Sequence, residues 1–201
     1  MKTVRLFSVL ALVVLVALGT AASAQVRQFS VKGSTETTLP PDLFKVNYFS
    51  NANTAGAPDG TVRITEPGSP SGDVCAQIYV IDPFQEMSEC GACQLSPDGL
   101  RTLSVNTDLT SNPLTGVVLQ TGTVSIVSGI VPPGGCTPLN GYITPTVRAW
   151  GTHIQNVNFA ETETEYSDRQ LGYWNDNLLY ECAAIYLDGS THGILTCGSG
   201  D

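Results

Sequence analysis

The sequence predicts a mainly β fold, an Ig-like β-sandwich with one C-terminal α-helix, stapled by disulfides. Three features carry that expectation. Short runs of alternating apolar and polar residues are separated by Gly- and Pro-rich turns. Six cysteines follow an export-type leader. In the last third of the chain the apolar spacing lengthens from two to the helical three or four.

The leader comes first. Lys2 and Arg5 supply a positive start, Leu6 to Leu18 is apolar but for Ser8, and Ala22-Ser23-Ala24 is an A-x-A cleavage site. The apolar run falls short of the roughly 20 residues of a membrane span. Residues 1–24 therefore read as a signal peptide, and no second apolar run approaches spanning length. The expected location is secreted or periplasmic, with no membrane association after cleavage. Removal of the leader leaves 177 residues, enough for one domain with a full core. The leader holds two of the nine basic residues and none of the eighteen acidic ones, so the mature chain has a net charge of −11. That balance argues against nucleic acid as a partner.

Residues 25–41 are polar and end in Pro40-Pro41. They read as a flexible segment in which Val26, Phe29 and Val31 can form an edge strand. A single domain is expected over 42–201. Leu43 to Ser50 reads as its first strand and Asn51 to Asp59 as turn chemistry. Val62 and Ile64 alternate with Thr61, Arg63 and Thr65, and Val74, Ala76, Ile78 and Val80 alternate with Cys75, Gln77 and Tyr79. Asp82 to Gly99 reads as irregular. Leu103 and Val105 mark a further strand. Val117 to Leu119 and then Val124 with Ile126 read as two more, flanking Gly122. After the Pro132 to Gly135 loop, Thr146 to Ile154 resumes strand character. Leu171, Trp174, Leu178, Cys182 and Ile185 fall at helical spacing, with the firm part over 174–187. Ser167 or Asp168 is the expected cap at its start and Gly189 at its end. A short strand from Gly193 to Cys197 closes the chain.

Cys75, Cys90, Cys93, Cys136, Cys182 and Cys197 are expected to pair, because their number is even and the compartment oxidising. Connectivity does not follow from spacing. Cys182 with Cys197 is the pairing that a helix and a following strand most readily allow.

Candidate chemistry is sparse. Cys90-Gly91-Ala92-Cys93 has the spacing of a thiol redox pair. Such a pair needs its first thiol at a helix N-terminus, and Pro97, Asp98 and Gly99 leave room for no helix. A zinc site would need a second pair, whereas His153 and His192 stand alone. Glu161, Glu163 and Glu165 alternate, so an extended backbone puts three carboxylates on one face. Such a row can bind Ca²⁺ or supply glycosidase carboxylates, and it can equally be a solvated strand face. Trp150, Tyr166, Tyr173 and Trp174 are candidates for a glycan platform or for core aromatics. No G-x-S-x-G element is present.

Several stretches carry a resemblance: residues 59–65 (DGTVRIT), 86–93 (EMSECGAC), 103–116 (LSVNTDLTSNPLTG) and 149–155 (AWGTHIQ). Together they resemble an uncharacterised group of small secreted, cysteine-containing proteins of the acidobacterial type. That resemblance implies export and a shared fold, and carries over no catalytic residue.

The leading functional expectation is a non-catalytic extracellular structural, adhesive or assembly module, with strand exchange through Phe29 and Val31 as one assembly route. A glycan- or Ca²⁺-binding module built on Glu161, Glu163, Glu165, Trp150 and Trp174 is the second. A thiol redox or glycan-acting enzyme is the third. Self-association or an extracellular matrix glycan are the expected partners, and no cofactor is expected beyond Ca²⁺.

Overall fold

The computed structural model describes residues 44–68, 72–112, 116–139, 142–144, 147–156, 158–169, 174–187, 195, 197 and 199–200. Readings that fall elsewhere lie outside the described residues: the leader, the 25–41 segment, Leu171, Tyr173, Gly189 and most of 193–197.

Among the described residues ten strands form two antiparallel sheets. In chain order they are β1 (Phe44–Phe49), β2 (Thr61–Thr65), β3 (Val74–Ile81), β4 (Met87–Leu95), β5 (Leu100–Ser104), β6 (Gly122–Ile130), β7 (Arg148–Ile154), β8 (Glu161–Glu165), β9 (Ser167–Arg169) and β10 (Ser199–Gly200). The helix α1 runs Trp174–Leu187. One sheet has the order β4-β3-β6-β1-β9 and the other β10-β5-β2-β7-β8. The protein is thus the mainly β, disulfide-stapled sandwich with a helix near the C-terminus that its sequence predicts.

The core follows from strand alternation. Val74, Ala76, Ile78 and Val80 of β3, with Val124 and Ile126 of β6, point between the sheets. There they meet Val62, Ile64, Leu103 and Ala149 of the second sheet. The other face of β3 is buried too: Cys75, Gln77 and Tyr79 are all covered. Cys75 is bonded to Cys136 and the Tyr79 hydroxyl donates to Pro138 O at 2.7 Å, so the 136–139 segment covers this face, while Leu178 and Cys182 of α1 pack with Phe44, Tyr79, Cys90 and Val127. Burying a side chain such as Leu178 stabilises by about 1.5–3 kcal/mol.

The structure corrects several expectations. Asp82 to Gly99 is not irregular; it contains β4, the nine-residue partner of β3. Val117 to Leu119 is not a strand, and only an isolated bridge joins Ser111 to Val118. The strand through Leu103 stops at Ser104, where the chain enters one wide helical turn, Val105–Leu109. The Ser104 hydroxyl caps that turn by accepting from the Thr107 amide. Ser167 and Asp168 do not cap the helix, because they belong to β9. Leu195 and Cys197 are not in a strand; the last pairing is Ser199 and Gly200 against β5.

All six cysteines are paired, as Cys75–Cys136, Cys90–Cys182 and Cys93–Cys197. Cys182 therefore bonds Cys90 rather than Cys197. The reason is the period of a strand. Residues three apart on β4 face opposite ways, so Cys90 points outward to the helix and Cys93 inward to the C-terminal segment. Gly91 between them allows the close approach this requires: a Cβ there would lie 2.7 Å from Leu195 Cβ.

Candidate functional site

The row Glu161, Glu163 and Glu165 lies on β8, an extended strand of exposed residues at the edge of the second sheet. Register places Trp150 beside Glu165 and Arg63 beside Trp150. Glu163 pairs with Arg63, and Glu165 pairs with Arg148 at 3.2 Å. Two of the three carboxylates are thus engaged by guanidinium groups. Trp150 is half-buried between them. Trp174 opens α1, away from this row in the chain, and its side chain lies outside the described residues. No group of three or more His, Cys, Asp or Glu positioned to hold a metal ion occurs among the described residues.

The other side of the same strand holds what sequence reasoning missed. β8 and β9 are one extended run that passes from the second sheet to the first through Tyr166. The Tyr166 ring is buried and its amide donates to Ala149 O at 2.9 Å. Beside this crossing a cleft of about 430 Å³ opens. Val46, Tyr48 and Thr123 form its floor, on the outer face of the first sheet. Thr162 and Thr164 of β8, His153 of β7, and Ser167 and Arg169 of β9 rise around it.

Its polar groups are linked. His153 Nε2 lies 2.7 Å from Thr164 Oγ1, and the Asn47 amide donates to the same oxygen at 3.2 Å. The Tyr48 and His153 rings meet edge to face with centroids 4.0 Å apart. His153 is only 5% exposed, and its Nδ1 has no partner among the described residues. Burial lowers the imidazole pKa below its ordinary 6.5, so the ring is neutral at pH 7. Tyr48 is 58% exposed and stands at the mouth. Gly151 makes the arrangement fit: a Cβ there would lie 3.0 Å from the Tyr166 ring and 3.2 Å from the Asn47 amide.

Basic residues gather at this end. Lys45, Arg63, Arg148 and Arg169 are four of the seven cations that follow residue 24. Lys45 is buried and reaches Asp168 at 2.5 Å. Arg63 and Arg148 hold Glu163 and Glu165. Arg169 has no ion-pair partner among the described residues.

The cysteine pair at Cys90 and Cys93 has no redox geometry, since each sulfur is bonded to a different distant cysteine. Among the described residues no helix is long and apolar enough to cross a membrane. Protein-family models, curated proteins and solved structures give no match to this chain.

Proposed function

We propose that this protein is an exported, non-catalytic extracellular module of the structural or adhesive kind, acting by surface recognition. The observation that carries the reading is the cleft at the β8–β9 crossing, where an exposed tyrosine stands over an ordered set of hydroxyl, amide and imidazole groups. Such a lining suits a hydrogen-bonding ligand held by an aromatic face and a few placed polar groups. Export agrees with the leader, with the resemblance to secreted acidobacterial proteins, and with three disulfides, which persist in oxidising compartments.

Among the described residues, three of the four sheet edges disfavour assembly by strand exchange: β9 and β10 are only three and two residues long, and β8 is lined with charge. Short and charged edges resist added strands. The fourth edge, β4, is nine residues long and is where such an exchange would have to occur. Adhesion is favoured over Ca²⁺ binding because Glu163 and Glu165 already hold arginines.

The test uses the exported, unreduced protein on immobilised extracellular polysaccharides and on bare surfaces. Saturable retention with no release of sugar ends and no disulfide exchange is the expected outcome. Turnover of either kind would overturn the non-catalytic reading, and absence of retention on every surface would overturn adhesion.

A further inference from the structure

We propose that the cleft at the β8–β9 crossing is a binding site for a carboxylate-bearing saccharide, a uronate residue within a longer glycan. This rests on the adhesive reading above and names its ligand class.

The ring face comes from Tyr48, exposed at the mouth and held in edge-to-face contact with the His153 ring. A pyranose places its C–H face on such a ring, and the ring's fixed position limits the ordering cost. Hydroxyl recognition centres on Thr164. Its oxygen accepts from the Asn47 amide and lies 2.7 Å from His153 Nε2. Two proton placements are available to the neutral imidazole. With the proton on Nδ1, a buried N–H would face no acceptor among the described residues. Orphaned buried N–H groups are rare because each forfeits a hydrogen bond. We therefore assign the proton to Nε2, which donates to Thr164. The Thr164 oxygen then receives two donors, and its own O–H is left to point into the cleft as a donor.

Charge selects the ligand class. Arg169 lines the cleft without an ion-pair partner among the described residues. Glu165 also lines it, but Arg148 holds that carboxylate. Asp168, the neighbour of Arg169, is held by Lys45. The uncommitted charge at the site is thus a guanidinium, in a chain that is acidic overall. A guanidinium engages a carboxylate through two parallel N–H donors and so adds geometry to attraction.

The experiment titrates the ¹⁵N-labelled, disulfide-intact protein with a trimer of galacturonic acid and, separately, with its methyl ester. The ester keeps every ring and ring hydroxyl and replaces each anionic carboxylate by a neutral methyl ester. The acid is expected to shift the amides of residues 46–48, 123, 153 and 162–169, and the ester to bind at least tenfold more weakly. Arg169→Ala should lose at least tenfold toward the acid, bringing its affinity down to about that of the ester. Tyr48→Ala should weaken both. The same amides in each unliganded variant, read at positions remote from the cleft, report that the fold is intact. Equal binding of acid and ester, shifts centred elsewhere, or an unaffected Arg169→Ala would overturn the proposal. If the protein still adheres to polysaccharide while the cleft takes neither trimer, the site assignment fails and adhesion stands. If the trimer binds but nothing adheres, adhesion fails and the site stands.

Discussion

Glu89 on β4 is 1% exposed, and neither carboxylate oxygen has a hydrogen-bond partner among the described residues. Loss of hydration without replacement disfavours the charged form, and burial raises its pKa from 4.5 to about 7. The consequence for stability has a definite sign. Below pH 4.5 the group is protonated in both folded and unfolded chains and contributes no pH dependence. Between 4.5 and 7 the unfolded chain releases the proton while the folded chain keeps it, so stability falls as pH rises. The loss is complete above 7. A pKa separation of about 2.5, at about 1.4 kcal/mol each, sets it at no more than about 3.5 kcal/mol. Glu89→Gln keeps the shape and removes the titration. His153 works in the opposite direction, since its lowered pKa costs stability as pH falls below 6.5. Comparing variant with parent cancels that contribution. The assay is guanidinium unfolding followed by tryptophan fluorescence, with disulfides intact, at intervals from pH 4 to 8. The variant is expected to gain about 2–3 kcal/mol on the parent between pH 4 and pH 8. Parallel profiles, within about 0.5 kcal/mol, would refute the claim that a lone carboxylate is desolvated in this core.

Three further perturbations probe the packing. Gly91→Ala places a methyl against Leu195 and should cost about 1–3 kcal/mol by overpacking, with slower oxidation of Cys93–Cys197 in a refolding time course. Replacing Cys93 and Cys197 together by serine removes a link across 104 residues; a loss of about 2–5 kcal/mol is expected by chemical denaturation. Arg63→Ala breaks an exposed ion pair with Glu163, and its thermal unfolding should show a cost below about 1 kcal/mol.

The parts of the fold that could be read from sequence are those with a strong period. β2 and β3 alternate cleanly, and α1 follows a helical spacing through Leu178, Cys182 and Ile185. β4 escaped because MSECGACQL holds Gly, Ser and Glu where strand formers would be expected. Its pairing is sustained by β3 and by cover from α1 rather than by propensity. The disulfide pattern was hidden for the same reason. Once Cys90 and Cys93 are known to sit on a strand, their separation by three residues assigns them to opposite faces. At the candidate site, the alternation of Glu161, Glu163 and Glu165 is visible, but their arginine partners come from other strands, Arg63 of β2 standing 100 residues from Glu163 and Arg148 of β7 standing 17 from Glu165. The cleft lies on the threonine side of the same strand. It depends on Asn47 and Tyr48 meeting His153 and Thr164 across more than 100 residues. His153 and Gly151 stood together in the stretch 149–155, and a lone histidine beside a glycine on a strand was the available cue.

The most direct test of this architecture is a non-reducing peptide map, by mass spectrometry, of the protein collected after export. Linked peptides joining Cys75 to Cys136, Cys90 to Cys182 and Cys93 to Cys197, on a chain beginning at Gln25, are the expected result. A peptide joining Cys90 to Cys93, or Cys182 to Cys197, would contradict both the placement of β4 and the fastening of the helix and C-terminal segment upon it.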